Sequence, residues 1–252
     1  MTRKIALITG ASRGLGKSAA LHLAAQGVDI IGTFNSQEAE AQAVVAQIEQ
    51  LGGRATMLQL NVGRSESFGD FGARFSAILK DQFGRERFDF LINNGGIGLH
   101  ADFVDTTPEQ FDLLLNIHFK GPFFLTQQLL PQLNDGGRII NISSGLARFA
   151  LPGMSAYAAM KGAMEVLTRY LAKELGARGI VVNTLAPGAI ATDFSGGMVR
   201  DNAEVNRFVA ANTALGRAGE ADDIGGALAM LLAPGSGWIN GQRIEASGGM
   251  FI

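Results

Sequence analysis

The stretch KIALITGASRGLGKSAALHLAAQG, residues 4 to 27, decides how the chain folds. IALI is an apolar run of strand length, and KSAALHLAAQG has the composition and spacing of a helix. Between them TGASRGLG, residues 9 to 16, leaves the strand through Gly10, Gly14 and Gly16, with Arg13 standing among them. A strand that passes through such a turn into a helix opens a β-α unit.

The same alternation continues along the chain. KIALIT, VDIIGTF, ATMLQLNV, FDFLINN, GRIINIS, GIVVNTLAP and GQRIEAS are the strand candidates. Helix-period segments lie at 14–26, 36–51, 65–83, 108–133 and 154–177, and another at 220–233 precedes the last strand. Several strands are apolar on both faces, as a parallel sheet covered by helices requires. The spacing predicts an α/β fold: a single-domain, doubly wound Rossmann-type parallel sheet of about seven strands with helices on both faces, over residues 1–252. The segment from about Ala186 to Arg217 lacks clear periodicity and is expected to be a substrate lid.

Composition bounds the function. The 252 residues are 47% hydrophobic and 17% charged, with 34 glycines, so the chain is globular and large enough for a substantial core. A net charge of −2, with no basic cluster, gives no reason to expect nucleic acid or an anionic membrane as partner. Cysteine is absent, and His22, His100 and His118 share no ligand spacing, so no metal is expected. The apolar run after Arg3 and Lys4 is too short for a signal-peptide core, and none approaches the roughly 18 residues of a membrane span. The expectation is a soluble, cytoplasmic protein.

In a doubly wound sheet, ligands bind beyond the carboxyl ends of the strands. The first helix offers unpaired backbone N–H groups and a positive dipole end to a phosphate. In that place Gly10 permits the sharp turn, Gly14 lets backbone approach a pyrophosphate, and Gly16 lets the helix pack close to the sheet. A glycine-rich turn without a ligand is the plain structural alternative.

The spacing G-x-x-x-G-x-G, preceded by Thr9, resembles the nucleotide turn of the short-chain dehydrogenase/reductase family. NNGG at 93–96, Asn116, Ser144, YAAMK at 157–161 and PGAIATD at 187–193 follow in the family's order, so the resemblance spans nearly the whole chain. It implies hydride transfer between a nicotinamide and a carbonyl or alcohol, with Asn116, Ser144, Tyr157 and Lys161 as catalytic residues. Tyr157 must supply the proton, and a free phenol has a pKa near 10. Lys161, four residues on, shares a helix face with Tyr157, and its ammonium is expected to lower the phenol's pKa. The family role given to Lys161 includes the nicotinamide ribose. Ser144 matches the family serine that holds the substrate oxygen, with Ser143 the competing position. Asn116 matches the family asparagine that supports a water linking the lysine to proton transport. Taken singly, each of these residues has a structural reading.

The second strand ends Thr33-Phe34-Asn35-Ser36, without the acid that usually binds the adenosine ribose of NAD, while Arg13 offers a cation to a 2′-phosphate. NADPH/NADP+ is therefore expected over NADH. The expected cofactor contacts are Gly10, Ser12, Arg13, Gly14, Leu15, Gly16, Asn35, Ser36, Asn61, Val62, Asn93, Gly95, Tyr157, Lys161, Pro187, Gly188, Ile190 and Thr192. In the family, Thr192 bonds the carboxamide. Two positions depart from its usual pattern: Asn93-Asn94-Gly95-Gly96 replaces Asn-Asn-Ala-Gly, and Asn61-Val62 replaces Asp-Val.

The substrate is a small carbonyl or alcohol compound, in a pocket for which Leu146, Phe149, Leu151, Met154, Phe194, Met198 and Phe208 are candidates. An NADPH-dependent carbonyl reductase is the leading reading. A 3-oxoacyl carrier-protein reductase, docking its acidic carrier through Arg138, Arg148, Arg169, Lys173 and Arg178, is an alternative. An NAD-dependent alcohol dehydrogenase and a non-catalytic nucleotide-binding protein are others. The resemblance further implies a homotetramer that pairs helices 108–133 and 154–177 and uses the terminal GGMFI.

Overall fold

The structure, a computed structural model, describes residues 3–252. Seven parallel strands form one sheet in the order β3-β2-β1-β4-β5-β6-β7. They are β1 (Ile5–Ile8), β2 (Asp29–Phe34), β3 (Ala55–Gln59), β4 (Phe88–Asn93), β5 (Leu133–Ile142), β6 (Val181–Pro187) and β7 (Arg243–Ala246). The helices are α1 (Gly14–Ala25), α2 (Glu38–Gln50), α3 (Phe68–Phe83), α4 (Pro108–Leu115), α5 (Gly121–Leu129), α6 (Ser155–Glu174), α7 (Met198–Asp201), α8 (Ala203–Ala211) and α9 (Ala221–Leu232). Strand order reverses between β1 and β4, which opens a crevice at their carboxyl ends.

The sheet is apolar on both faces because each face carries its own core. In β1, Ala6 and Ile8 join a layer with Leu23 of α1, Val44 of α2 and Leu228 of α9. Ile5 and Leu7 point the other way, onto Phe71 and Phe75 of α3, Leu125 of α5 and Ala172 of α6. No helix among the described residues is long and apolar enough to cross a membrane.

Two elements differ from the sequence reading. The 108–133 segment is not one helix: α4 ends at Leu115, a π turn spans Asn116–Lys120, α5 follows, and Leu133 already belongs to β5. Pro122 supplies the physical reason, since it has no N–H to give the carbonyl of the preceding turn and the helix widens there. The 186–217 segment is not a bare loop, because it contains α7 and α8. Asn202 caps α8 by accepting from the Glu204 and Val205 N–H groups, and Val209 buries its inner side.

Candidate active site

The turn between β1 and α1 is built as its glycines suggest. Gly10 and Gly14 have φ of +67° and +53°, in the left-handed region that favours glycine. A side chain at Gly16 would collide with the Gly10 carbonyl and the Asn94 amide, so only glycine lets α1 sit this close to the sheet. Asn94 Nδ2 donates to the carbonyls of Thr9 (2.9 Å) and Gly10 (3.1 Å), while Thr9 Oγ1 accepts from the N–H groups of Asn94 and Gly95. Asn94 thus clamps the turn, whereas Asn93 directs its amide to Thr126 and Asn141 and acts between β4, β5 and α5.

This turn fits a dinucleotide. Arg13 is the N-cap of α1, no side chain caps the helix, and its first turn holds no acid, which leaves the N–H groups and dipole end to an anion. Thr192 faces it from the β6 side, 3.8 Å from where a Gly14 side chain would begin. Gly188 is tied to β7 through the Ala246 carbonyl, and Ile190 bridges to Gly219. Asn35 and Ser36 are exposed beyond β2, and positions 33 to 36 hold no carboxylate. Arg13 is half-exposed, and among the described residues its one ion-pair partner is Asp193 at 4.0 Å, a loose contact that leaves the guanidinium available. Asn61 uses Oδ1 to accept from the Gly63 N–H, and Val62 packs beside Gly95. A side chain at Gly95 would meet Val62 at 3.4 Å, an ordinary contact, so the family's alanine would fit.

The candidate reacting groups stand just past the end of β5 and on α6. Four-residue spacing puts Tyr157 and Lys161 on one face of α6, and both are buried. Lys161 Nζ donates to the Ile142 carbonyl at the end of β5 (2.7 Å) and lies 5.6 Å from the centre of the Tyr157 ring. The structure separates the two serines. Ser143 Oγ bonds Glu165 (2.7 Å) and the Lys161 carbonyl, so it holds α6 to the sheet. Ser144 Oγ accepts from the Leu146 N–H (3.2 Å), which leaves its own proton free to donate.

Electrostatics correct one expectation. The ammonium was expected to lower the Tyr157 pKa, but burial dominates and pushes the phenol up to about 12, with the nearby Ser144 hydroxyl opposing. Burial also pulls Lys161 down to about 7, so its charge is only partial at neutral pH. Taking either group out of water disfavours its charged form, and at this depth that penalty is the leading cause of both shifts.

The group found beside Tyr157 on the α4–α5 side is His118. Its ring meets the Tyr157 ring edge-on, 5.0 Å between centres, and Nε2 stands 2.8 Å from the Ile97 carbonyl. Nε2 also lies 3.3 Å from the Ile97 N–H, so this one peptide offers it both a donor and an acceptor, while Nδ1 is buried with no hydrogen-bond partner among the described residues. Burial, with the Lys161 charge, lowers the imidazole to about 3 and keeps it neutral. Asn116 opens the π turn half-buried, and its side chain has no hydrogen-bond partner among the described residues. The turn's extra residue shifts the helix register and brings His118 inward. Pro122 was the signal for this in the sequence. Gly96 accommodates the ring, since a side chain there would come within 2.8 Å of it.

Comparison with known proteins agrees with this geometry. The family described as enoyl-(acyl carrier protein) reductase matches residues 10–251. The promiscuous reductase LugOII, which catalyses keto-reduction at C1 during lugdunomycin biosynthesis, is 40% identical with a TM-score of 0.94, covering 100% of this chain and 99% of its own. The angucycline C-6 ketoreductase LanV, solved with bound NADP, is 34% identical with a TM-score of 0.93, covering 98% and 95%. The tetrahydroxynaphthalene reductase PfmaG of Pestalotiopsis fici is 35% identical, over 98% of this chain and 91% of its own. With the glycine turn, the Ser144-Tyr157-Lys161 wall and the 3-2-1-4-5-6-7 sheet in place, the chain belongs to the short-chain dehydrogenase/reductase family.

Proposed function

We propose that this protein is an NADPH-dependent ketoreductase whose substrate is a flat, polycyclic aromatic ketone. The observation that carries the reading is geometric: a buried Tyr157 one helical turn from Lys161, beside the Ser144 hydroxyl and next to aromatic side chains. Phe194 lies 6.0 Å from the Tyr157 ring, and Phe149 lies against Gly145, next to Ser144. Relatives that reduce hydroxynaphthalene and angucycline ketones support the same substrate class.

The chain's own groups divide the work. Ser144 donates to the substrate oxygen and holds it at Tyr157, which gives that oxygen its proton. With a pKa raised to about 12, Tyr157 holds a proton to give throughout the neutral range, although burial makes it a weaker acid than an ordinary phenol. Lys161, anchored by the Ile142 carbonyl, holds the ribose side of the site and can resupply the proton. The nicotinamide, when bound, supplies the hydride. Gly10, Gly14, the α1 N-terminus, Arg13 and Thr192 would hold the dinucleotide, with Arg13 on the 2′-phosphate. The 194–211 segment serves as a lid over the substrate.

The carrier-protein reading has less support. Arg138 is buried and bonded to the Leu231 and Ala233 carbonyls, Arg148 is paired with Glu245, and Arg178 is paired with Asp135. Three of the five cations suggested for docking are thus engaged inside the molecule. For assembly, Phe111, Leu113, Phe123, Phe124, Val166 and Tyr170 leave an exposed apolar face on α4, α5 and α6, which favours a homotetramer. The tail contributes less than expected, because Met250 is buried and of the last two residues only Ile252 is exposed.

A panel of ketones tests the reading, with NADPH oxidation followed optically. Naphthalenone-type and larger polycyclic ketones should give a higher kcat/KM than acetoacetyl or enoyl thioesters. The reverse ranking would replace it with the carrier-linked alternative. Sedimentation showing a monomer at micromolar concentration would remove the tetramer.

A further inference from the structure

The C-terminal tail is tied to the active site by a chain of charges. Arg243 on β7 donates from Nε to Glu165 of α6 (2.7 Å), from Nη1 to Glu245 (2.8 Å), and from Nη2 to the Ser144 carbonyl (3.3 Å). Glu245 in turn accepts both arms of a bidentate Arg148 fork, each at 2.8 Å. That same Arg148 donates to the carbonyls of Met250 (2.7 Å) and Phe251 (3.1 Å). One guanidinium therefore fixes the tail against the loop between Ser144 and Tyr157.

The tail is held in a conformation it would not choose. Phe251 has φ of +53°, one of two non-glycine residues in the left-handed region among those described, a backbone conformation that side chains other than glycine's rarely adopt. It persists because the surroundings hold it. The Phe251 ring lies 4.7 Å from the Phe149 ring and 6.3 Å from Phe208 on α8, while Arg148 covers the Phe149 ring at 5.4 Å. Phe149 in turn sits on Gly145, where a side chain would come within 2.8 Å of its ring. Tail, lid helix and catalytic loop meet at one aromatic side chain.

We propose that Phe251 is a positioning residue for substrate specificity, with Arg148 as its clamp: it presses Phe149 into place beside Ser144 and couples it to Phe208, forming the wall on which a flat polycyclic ketone stacks. The proposal rests on the ketoreductase reading above and names what selects the substrate. Phe251 acts through Phe149 and takes no part in proton or hydride transfer, so its loss changes which ketone is bound rather than how it is reduced.

The test measures kcat and KM with NADPH for a one-ring and a polycyclic aromatic ketone in six proteins: wild type, Phe251→Ala, Phe251→Gly, Phe251→Leu, Arg148→Gln and the Phe251→Ala/Arg148→Gln double variant. Phe251→Ala removes the ring and keeps the strained backbone. Phe251→Gly removes both ring and strain. Both should raise KM for the polycyclic ketone about tenfold, with kcat kept within a few-fold and the one-ring KM unchanged. Arg148→Gln should shift the same ratio in the same direction, and combining it with Phe251→Ala should add little, because both act on one element. Phe251→Leu, which keeps bulk, should recover part of the loss. Equal KM changes for both ketones, no change in any variant, or additive effects in the double variant would overturn the proposal. A wild type inert toward every ketone would instead overturn the ketoreductase reading itself. Thermal melting of each variant separates loss of fold from loss of selection.

Discussion

The β5–α6 wall and the 194–211 segment face the same site and are built in opposite ways. The wall is buried and cross-tied: Asn141 donates to Thr168, Thr168 meets Thr184 at 2.8 Å, and Ser143 holds Glu165. The segment opposite begins with Ser195, Gly196 and Gly197 all at positive φ, and its Phe194, Met198 and Phe208 are each 41–49% exposed. Its ion pairs, Arg200 with Asp193 and Asp201, lie at the surface, where such pairs contribute little. Chemistry needs groups held to fractions of an ångström, while admission of a bulky substrate needs a part that opens at small cost. On the proposed reading, the fold places these requirements on different elements.

Removing the acid from the wall is the severest way to break that contrast. Tyr157→Phe should lower kcat by about 10²–10⁴ while leaving NADPH affinity and melting temperature near wild type. Turnover surviving within a few-fold would mean that the wall does not do the chemistry. At the glycine turn, Arg13→Ala should raise the KM for NADPH by about ten- to a hundredfold, the loss of one or two charge-assisted bonds, and leave that for NADH unchanged. Equal effects on both cofactors would deny Arg13 the 2′-phosphate.

The wall also carries a signature in stability. Lys161 has a pKa of about 7 when folded and 10.5 ordinarily, so between those values the unfolded chain binds more protons and stability rises with pH. Tyr157 works in the opposite sense above about pH 10, where an unfolded phenol ionises before the buried one. Denaturation of the nucleotide-free protein should therefore show stability climbing from about pH 7 toward 10, and Lys161→Met should flatten the climb. A wild-type profile that is already flat there would mean the ammonium is not desolvated. The smallest effect belongs to the 194–211 segment proposed as a lid. Phe208→Ala should raise the KM for polycyclic ketones a few-fold and change stability by no more than about 0.5 kcal/mol, as for an exposed side chain. A larger stability loss would place Phe208 in the core instead.

What the sequence determined by itself is what local pattern encodes. Strand and helix periods in alternation specify the parallel sheet, the glycines of TGASRGLG specify a turn that only glycine can make, and Tyr157 and Lys161 share a face because four residues is one helical turn. The missing acid after β2 is equally a matter of composition. Tertiary structure alone decided which side chains meet: Ser143 went to Glu165 and left Ser144 free, Asn94 took the glycine turn while Asn93 took β5, and the π turn set His118 against Tyr157. The partners in these contacts lie roughly 20 to 85 positions apart along the chain, beyond the reach of any local period. Burial decided the rest, holding the Tyr157 proton more tightly than the neighbouring Ser144 hydroxyl loosens it, because the loss of water around a charge is a property of the packed site and not of the spacing between two residues.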